Sequence, residues 1–203
     1  MSATVRRPAH RPSRRGVIVE AAFELFASGP VDDVTVVDIA AAADMTSAAI
    51  YYHYPSREEI LLEGLREFST GYVAEIERIA TEDVLPAASM GALVEPFMTW
   101  LDQNRTRALV YFVQSRGASQ QVEAIRRDNS GSLIPILARA AKRTREKLPA
   151  AEASIIAVAL IAQIETFASA LLSRDSSYST LGHRGFIRSG AKLADQIADT
   201  PAI

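Results

Sequence analysis

Three histidines, 24 acidic residues and no cysteine are the chain's stock of the side chains most used as metal ligands and general bases. His10, His53 and His183 are far apart and lack metal-ligand spacing. Adjacent acids occur at Asp32-Asp33 and Glu58-Glu59, but both pairs sit where turns and helix starts are expected, so they read as capping groups and not as a catalytic pair. No Gly-rich phosphate loop or nucleophile elbow is present. The sequence therefore offers no catalytic residue, no metal site and no cofactor site, and the expectation is a protein that is not an enzyme. The chemistry it does offer is a set of hydroxyls, small side chains and cations suited to phosphates and base edges. That set is concentrated in one stretch, TVVDIAAAADMTSAAIYYHYPSREE, from Thr35 to Glu59.

The local rules of helix formation explain how this stretch would hold such groups. Thr35 is placed to cap a first helix, and Asp38 three residues later approximates a capping box. Val36, Ile39, Ala40 and Ala43 then share one buried face. Asp44-Met45-Thr46 makes the turn, and Asp is one of the few residues besides Gly that tolerates a left-handed backbone there. Thr46 is the expected N-cap of a second helix, Ser47–Tyr54, which Pro55 ends. Two helices joined by a short turn form a helix-turn-helix, whose second helix enters the DNA major groove. The small Ser47, Ala48 and Ala49 let that helix approach base edges closely. Of Tyr51, Tyr52, His53 and Tyr54, one should by period turn inward with Ile50, leaving the others to reach phosphates, contacts that fix register. A third helix starts at once: Ser56 and Glu59 form a capping box, and Arg57 beside that helix N-terminus is a phosphate-binding arrangement.

The same residues resemble the DNA-binding signature of TetR-family transcriptional regulators: a Thr before a helix ending in Asp-Ile-Ala, a turn, then Leu/Ile-Tyr-x-x-Phe/Tyr, then Pro-Ser-Lys/Arg-Glu-Glu. Here these are Thr35, Asp38-Ile39-Ala40, Ile50-Tyr51, Tyr54 and Pro55-Ser56-Arg57-Glu58-Glu59. Asp44 stands where the family usually has Gly, and Ser47-Ala48-Ala49 replaces a common Lys-Gly-Thr, which removes one basic contact. The resemblance covers about residues 14–62 as a motif and the remainder only in length and helical character. It implies a homodimer joined through the last two long helices, about 150–173 and 178–198, as a four-helix bundle. It also implies a palindromic operator in double-stranded DNA and a small-molecule effector held in the larger part.

Charge supports a nucleic-acid-facing end. Residues 1–19 carry Arg6, Arg7, Arg11, Arg14 and Arg15 and no acid, a sum of +5, so the rest of a chain of net charge −2 sums to −7. Residues 1–13 read as a disordered basic arm, 14–55 as a helix-turn-helix domain and 56–203 as a helical effector-binding and dimerisation domain. The fold class is all-α, with about nine helices. After the helix-turn-helix these run from Ser56 to about Ile79, from Ala88 to Asn104 with Pro96 inside, from Arg105 to Arg116, from Gln120 to Leu148 with a kink or break at Pro135, from Ala150 to Ser173, and from Tyr178 to Ala198. The longest strongly apolar stretch free of charge, Ala153–Ile164, has 12 residues, too few for a membrane span. The start is Arg- and Pro-rich, unlike a secretory signal. A cytoplasmic protein with no membrane partner is expected.

The expected DNA contacts are thus Ser47, Ala48, Ala49 and Tyr52 on base edges, Thr35, Tyr51, His53, Arg57, Arg14 and Arg15 on phosphates, and Thr46 beside them. Phe97, Met98, Trp100, Leu101, Tyr111 and Phe112, with Gln114, Gln163 and Glu165 as polar groups, are the candidate effector cavity. Arg116, Arg126, Arg127, Arg139, Lys142 and Arg143 read as a solvated face, or as a surface for an anionic ligand such as an acyl thioester. The competing function is a helical small-molecule-binding or protein-interaction module without sequence-specific DNA binding.

Overall fold

The computed structural model describes residues 13–81, 89–145 and 147–199. Of the expected basic arm, residues 1–13, all but Ser13 lie outside them, as does the expected helix start at Ala88. Every regular element among the described residues is helical, so the chain is all-α, as its periodicity predicts.

Helix α1 (Arg14–Ser28) starts where Ser13 Oγ accepts from the Gly16 amide at 3.1 Å, and it buries Ile18, Val19, Ala22, Phe23 and Phe26. Gly29-Pro30 ends it, and a 3-10 turn (Val31–Asp33) leads to α2 (Val36–Ala42). The capping box at α2 is complete. Thr35 Oγ1 accepts from the Asp38 amide at 3.2 Å, and the Asp38 carboxylate accepts from the Thr35 amide at 2.9 Å. These bonds from Thr35 hold the Asp38 carboxyl below its ordinary range. Asp44 has φ 53°, the left-handed conformation the turn requires. Thr46 Oγ1 then accepts from the Ala49 amide at 3.2 Å and opens α3 (Ser47–His53).

Helix α4 (Arg57–Thr81) is the spine. Its first turns pack on α1, and its later turns pack on α7 (Gln120–Thr144). Gly64 lies at the α1–α4 contact: a Cβ there would overlap the Phe23 ring. Beyond α4 come a 3-10 turn (Met90–Leu93), α5 (Val94–Gln103), α6 (Arg105–Leu109), α7, α8 (Ala150–Ser173) and α9 (Ser176–Asp199). Pro96 is the third residue of α5, where no intrahelical amide bond is needed.

Several boundaries differ from expectation. The sixth helix is α-helical only to Leu109 and then widens into a π turn, Val110–Gln114. Helix α7 ends at Thr144 and is continuous through Pro135, so of the expected kink or break there is no break. Pro135 and Gly131, whose carbonyl the proline leaves without a helical donor, are both exposed, so water can take the place of the missing amide. The last helix is interrupted at Gly182, whose φ of 65° and ψ of 166° are open only to glycine without strain.

Helix α8 has the length and apolar composition of a membrane span, yet half of its most apolar window is buried inside the fold, against α7 and α9. That is the signature of a core helix. The buried apolar side chains form one continuous cluster from Ile18 to Ala198, so the first three helices lean on the rest of the molecule.

Candidate nucleic-acid interface and the core behind it

Helix α3 is anchored from below by Ile50, fully buried, and by Tyr54, its C-cap, which is the inward-turning aromatic that the period requires. The Tyr54 hydroxyl donates to Glu63 Oε1 at 2.7 Å. Arg15 lies over the Tyr54 ring at 4.2 Å, donates to the His53 carbonyl at 2.9 Å and pairs with Glu63. Burial and the Glu63 bond push the Tyr54 hydroxyl pKa up, while Arg15 holds the Glu63 carboxyl below its usual range. A cation, a carboxylate and a phenol from α1, α4 and the end of α3 thereby fix the angle at which α3 is presented.

What α3 presents outward is apolar and aromatic. Tyr52 is 85% exposed and Tyr51 57%, and Val37 on α2, absent from the expected set, is 66% exposed. Tyr52 meets the His53 ring edge-on at 5.2 Å. Thr35, Thr46 and Ala48 are exposed, and Ser47, Ala49 and His53 half-buried. Exposed large side chains gathered on two short helices mark an interaction face. Val37 falls outside the helical-spaced set Val36, Ile39, Ala40 and Ala43, and that was its signal in the sequence.

Two of the expected phosphate cations are engaged elsewhere. Arg57 donates to the Val31, Asp32 and Val34 carbonyls at 2.7 to 3.0 Å and to the Asp32 carboxylate at 2.9 Å. The 3-10 turn between α1 and α2 has carbonyls with no helical donor, and the guanidinium at the start of α4 supplies one. Arg57 therefore fixes this loop, and Arg15, through Glu63 and Tyr54, fixes α3. Arg14 at the exposed start of α1 is the cation of the set left facing solvent. The Thr35 hydroxyl is committed to its capping box.

The expected effector residues divide. Phe97, Met98 and Gln163 line a cavity of about 20 Å³, together with Ile76 of α4, Leu160 and Ile164 of α8 and others from α5, α7 and α9. Gln163 Nε2 donates to the Gly190 carbonyl at 2.6 Å, and its Oε1 is buried with no partner among the described residues. Leu101, Tyr111 and Phe112 are core, away from that cavity, and Trp100 stacks on Phe97 at 5.8 Å. Gln114 is half-buried, and Glu165 pairs with Arg116 at 3.2 Å. Sequence reasoning left out Phe68 and Tyr72 of α4, which hold the aromatics together: Phe68 lies 5.1 Å from Tyr111, and Tyr72 lies 5.1 Å from Phe97. Their four-residue spacing, continued to Ile76, was the available signal.

The basic residues of α6 and α7 do not form one solvated face. Arg126 is 8% exposed, Arg143 donates to the Ala80 carbonyl, and Arg139 faces Glu77 at 3.7 Å. Arg107 on α6 links the two ends of the molecule. It pairs with Glu20 of α1 and with Glu67 of α4 at 2.9 Å, and it lies 5.6 Å from the Phe23 ring. Burial draws its pKa down, but the bonds to Glu67 and Glu20 outweigh that and leave it raised. No group of three or more metal-ligating side chains occurs among the described residues.

A helix-turn-helix whose second helix stands proud of an all-helical body places the chain among helix-turn-helix proteins. Residues 18–63 match the family model of bacterial regulatory proteins of the tetR family. It is 28% identical over 109 residues to the HTH-type transcriptional repressor KstR2 of Mycobacterium tuberculosis, a match covering 54% of each protein. The chain thus spans about half the length of the curated relatives it matches first. In fold it is similar to the fatty acid degradation regulator FadR of Bacillus halodurans, with a TM-score of 0.70 and 15% identity over 94% of this chain and 96% of that one. It is likewise similar to FadR of Bacillus subtilis solved with stearoyl-CoA, with a TM-score of 0.69 and 16% identity over 92% and 98%.

Proposed function

We propose that the protein is a homodimeric, ligand-responsive transcriptional repressor acting in the cytoplasm on a palindromic operator. The observation that carries this reading is the outward face of α3, with Tyr51 and Tyr52 exposed above the buried Ile50 and Tyr54. Ser47, Ala48, Ala49 and Tyr52 meet base edges, and Thr46, Tyr51, His53 and Arg14 meet phosphates. Arg57 and Arg15 act by holding the loop and α3 in place. Two-fold symmetry puts two such helices in major grooves about 34 Å apart. The dimer face is the exposed apolar stripe on α8, where Ile155 is 69% and Val158 53% exposed, continued by Leu181 and Leu193 of α9.

The cavity near Phe97 is far smaller than the several hundred cubic ångströms of a ligand site, so an effector must open it. Two elements lead from there to the DNA-facing helices: α4 itself, and the segment that carries Tyr111 in its π turn and Arg107 one turn earlier, on Glu20 and Glu67. An effector that binds the opened body more tightly moves these elements and changes the spacing of the two α3 helices.

Fluorescence anisotropy with DNA from upstream of the protein's own gene, beside a scrambled duplex and at several salt concentrations, tests the reading. Binding that prefers the native sequence and falls by a slope of about 0.9 per neutralised phosphate on a log-log salt plot supports it. Weak binding equal on both duplexes, set against a second operator source from neighbouring genes, sinks it in favour of a ligand- or protein-binding module. Tyr51→Phe should weaken binding to all duplexes alike, whereas Ala48→Ser should alter sequence preference. Val158→Lys should give monomers by analytical ultracentrifugation.

A further inference from the structure

The larger part of the molecule buries polar groups that its own folding does not use. Arg126 of α7 donates through Nη2 to the Tyr111 carbonyl, with Ser115 Oγ at 3.4 Å, but its Nε and Nη1 are buried without a hydrogen-bond partner among the described residues. The same is true of the Tyr72 and Tyr111 hydroxyls. These groups are neighbours. The Arg126 guanidinium lies 4.6 Å from the Tyr111 ring centroid, and the Tyr111 and Tyr72 centroids are 6.1 Å apart. The nearest carboxylate, Glu123, stays 3.7 Å from Nε and accepts from the Gly117 amide at 3.0 Å, and Glu165 is held by Arg116.

We propose that Arg126, Tyr72 and Tyr111 form an anion subsite that receives the free carboxylate of an apolar acid; this deepens, and rests on, the reading of the larger part as an effector domain. A buried neutral hydroxyl is satisfied by any acceptor, but a buried guanidinium without a hydrogen-bonded counter-ion calls for negative charge. Burial draws the Arg126 pKa down, as expected for a cation short of compensation. Burial also pushes the Tyr111 hydroxyl up to about 12 and the Tyr72 hydroxyl well above its usual value, so both stay protonated and donate to an anion. The free Nε and Nη1 offer two donors to the oxygens of one carboxylate. The acid's apolar body lies among the rings of Phe68, Phe97 and Trp100, and Phe97 leads on to the small cavity beside Ile76 and Leu160. Entry displaces Tyr111. It is carried on the π turn, an irregularity that often marks functional segments of helices.

Trp100 is the chain's single tryptophan and lies 5.3 to 6.4 Å from the Phe68, Phe97 and Tyr72 rings, so its fluorescence reports this site without any DNA. The full chain is titrated with decanoate and 4-phenylbutanoate, with the corresponding neutral amides, and with decanoyl-coenzyme A. At least one acid should give a saturable change at least tenfold tighter than its amide. Arg126→Met and Tyr72→Phe should each weaken the acid at least tenfold while leaving the amide unchanged. Equal affinity for acid and amide, no saturable response to either acid, or binding of the thioester alone would overturn the proposal. Tyr72→Phe guards against misfolding, because removing an unbonded hydroxyl should leave the melting temperature unchanged or raise it; a fall would show that the hydroxyl is bonded in the fold, and the site would be refuted. Operator binding in a protein that ignores these acids would leave the repressor reading intact, and acid binding without operator binding would leave the site intact.

Discussion

The two ends of the molecule treat their polar groups in opposite ways. Around α1 to α3 the buried Tyr54 hydroxyl meets Glu63, which Arg15 also pairs, while at the surface Arg57 caps the loop carbonyls and Thr35 and Asp38 cap each other. In the middle of the larger part, Tyr72, Tyr111 and Arg126 carry buried donors without acceptors. Buried polar groups are normally satisfied, because each unmet one costs on the order of a kcal/mol or more. The first pattern is what a rigid presenter of one helix needs. The second is what remains when a core is shaped for something besides itself.

Substitutions can break this contrast. The largest effect should come from Gly64→Ala, whose added methyl meets the fully buried Phe23 ring at the α1–α4 contact. Overpacking of this kind costs about 3 kcal/mol at the upper end of its range, read as a lower midpoint in urea. Next, one change tests both ends with opposite signs. Tyr54→Phe removes a bond to a carboxylate and should destabilise by about 2 kcal/mol, whereas Tyr72→Phe removes an unbonded hydroxyl and should stabilise by about 1 kcal/mol. Equal and same-signed shifts in thermal melts would erase the distinction between the two regions.

The helix-turn-helix end was almost fully legible in the sequence because its rules are local. Caps, a left-handed Asp44 and a Pro55 stop are read within four residues, and α2 and α3 lie within a residue of where those signals put them. What was not legible is where long side chains go. Arg57 and Arg15 look like phosphate ligands by position, and only the fold brings Asp32, Glu63 and Tyr54 within their reach. The larger part was harder for the same reason. Arg126 sits in an apparently solvated basic run, and its burial depends on Tyr111 and Ser115 packing over it from another segment. The break at Gly182 and the π turn at Val110–Gln114 lack a strong local signal, since a lone glycine or an aromatic pair is tolerated in regular helix.

Acid provides the finest test of the contrast. Glu63 is held below the ordinary carboxyl value of 4.5, first by the hydrogen bond from Arg15 and further by the one from Tyr54, against the opposing effect of burial. A carboxyl whose folded-state pKa is depressed contributes stability that is fully present above its unfolded pKa and is lost as the pH falls through the folded value. Protonation of Glu63 would remove the charge that Arg15 faces and loosen the hold on Tyr54 at the end of α3. Glu63→Gln keeps the shape but has no charge to lose. The wild type should therefore melt higher than Glu63→Gln at neutral pH, and the gap between them should narrow as the pH is lowered from about 5 toward 3. Parallel pH profiles for the two proteins would mean that the triad orients α3 through shape alone, and the difference between the two ends would then rest on hydrogen bonding without charge.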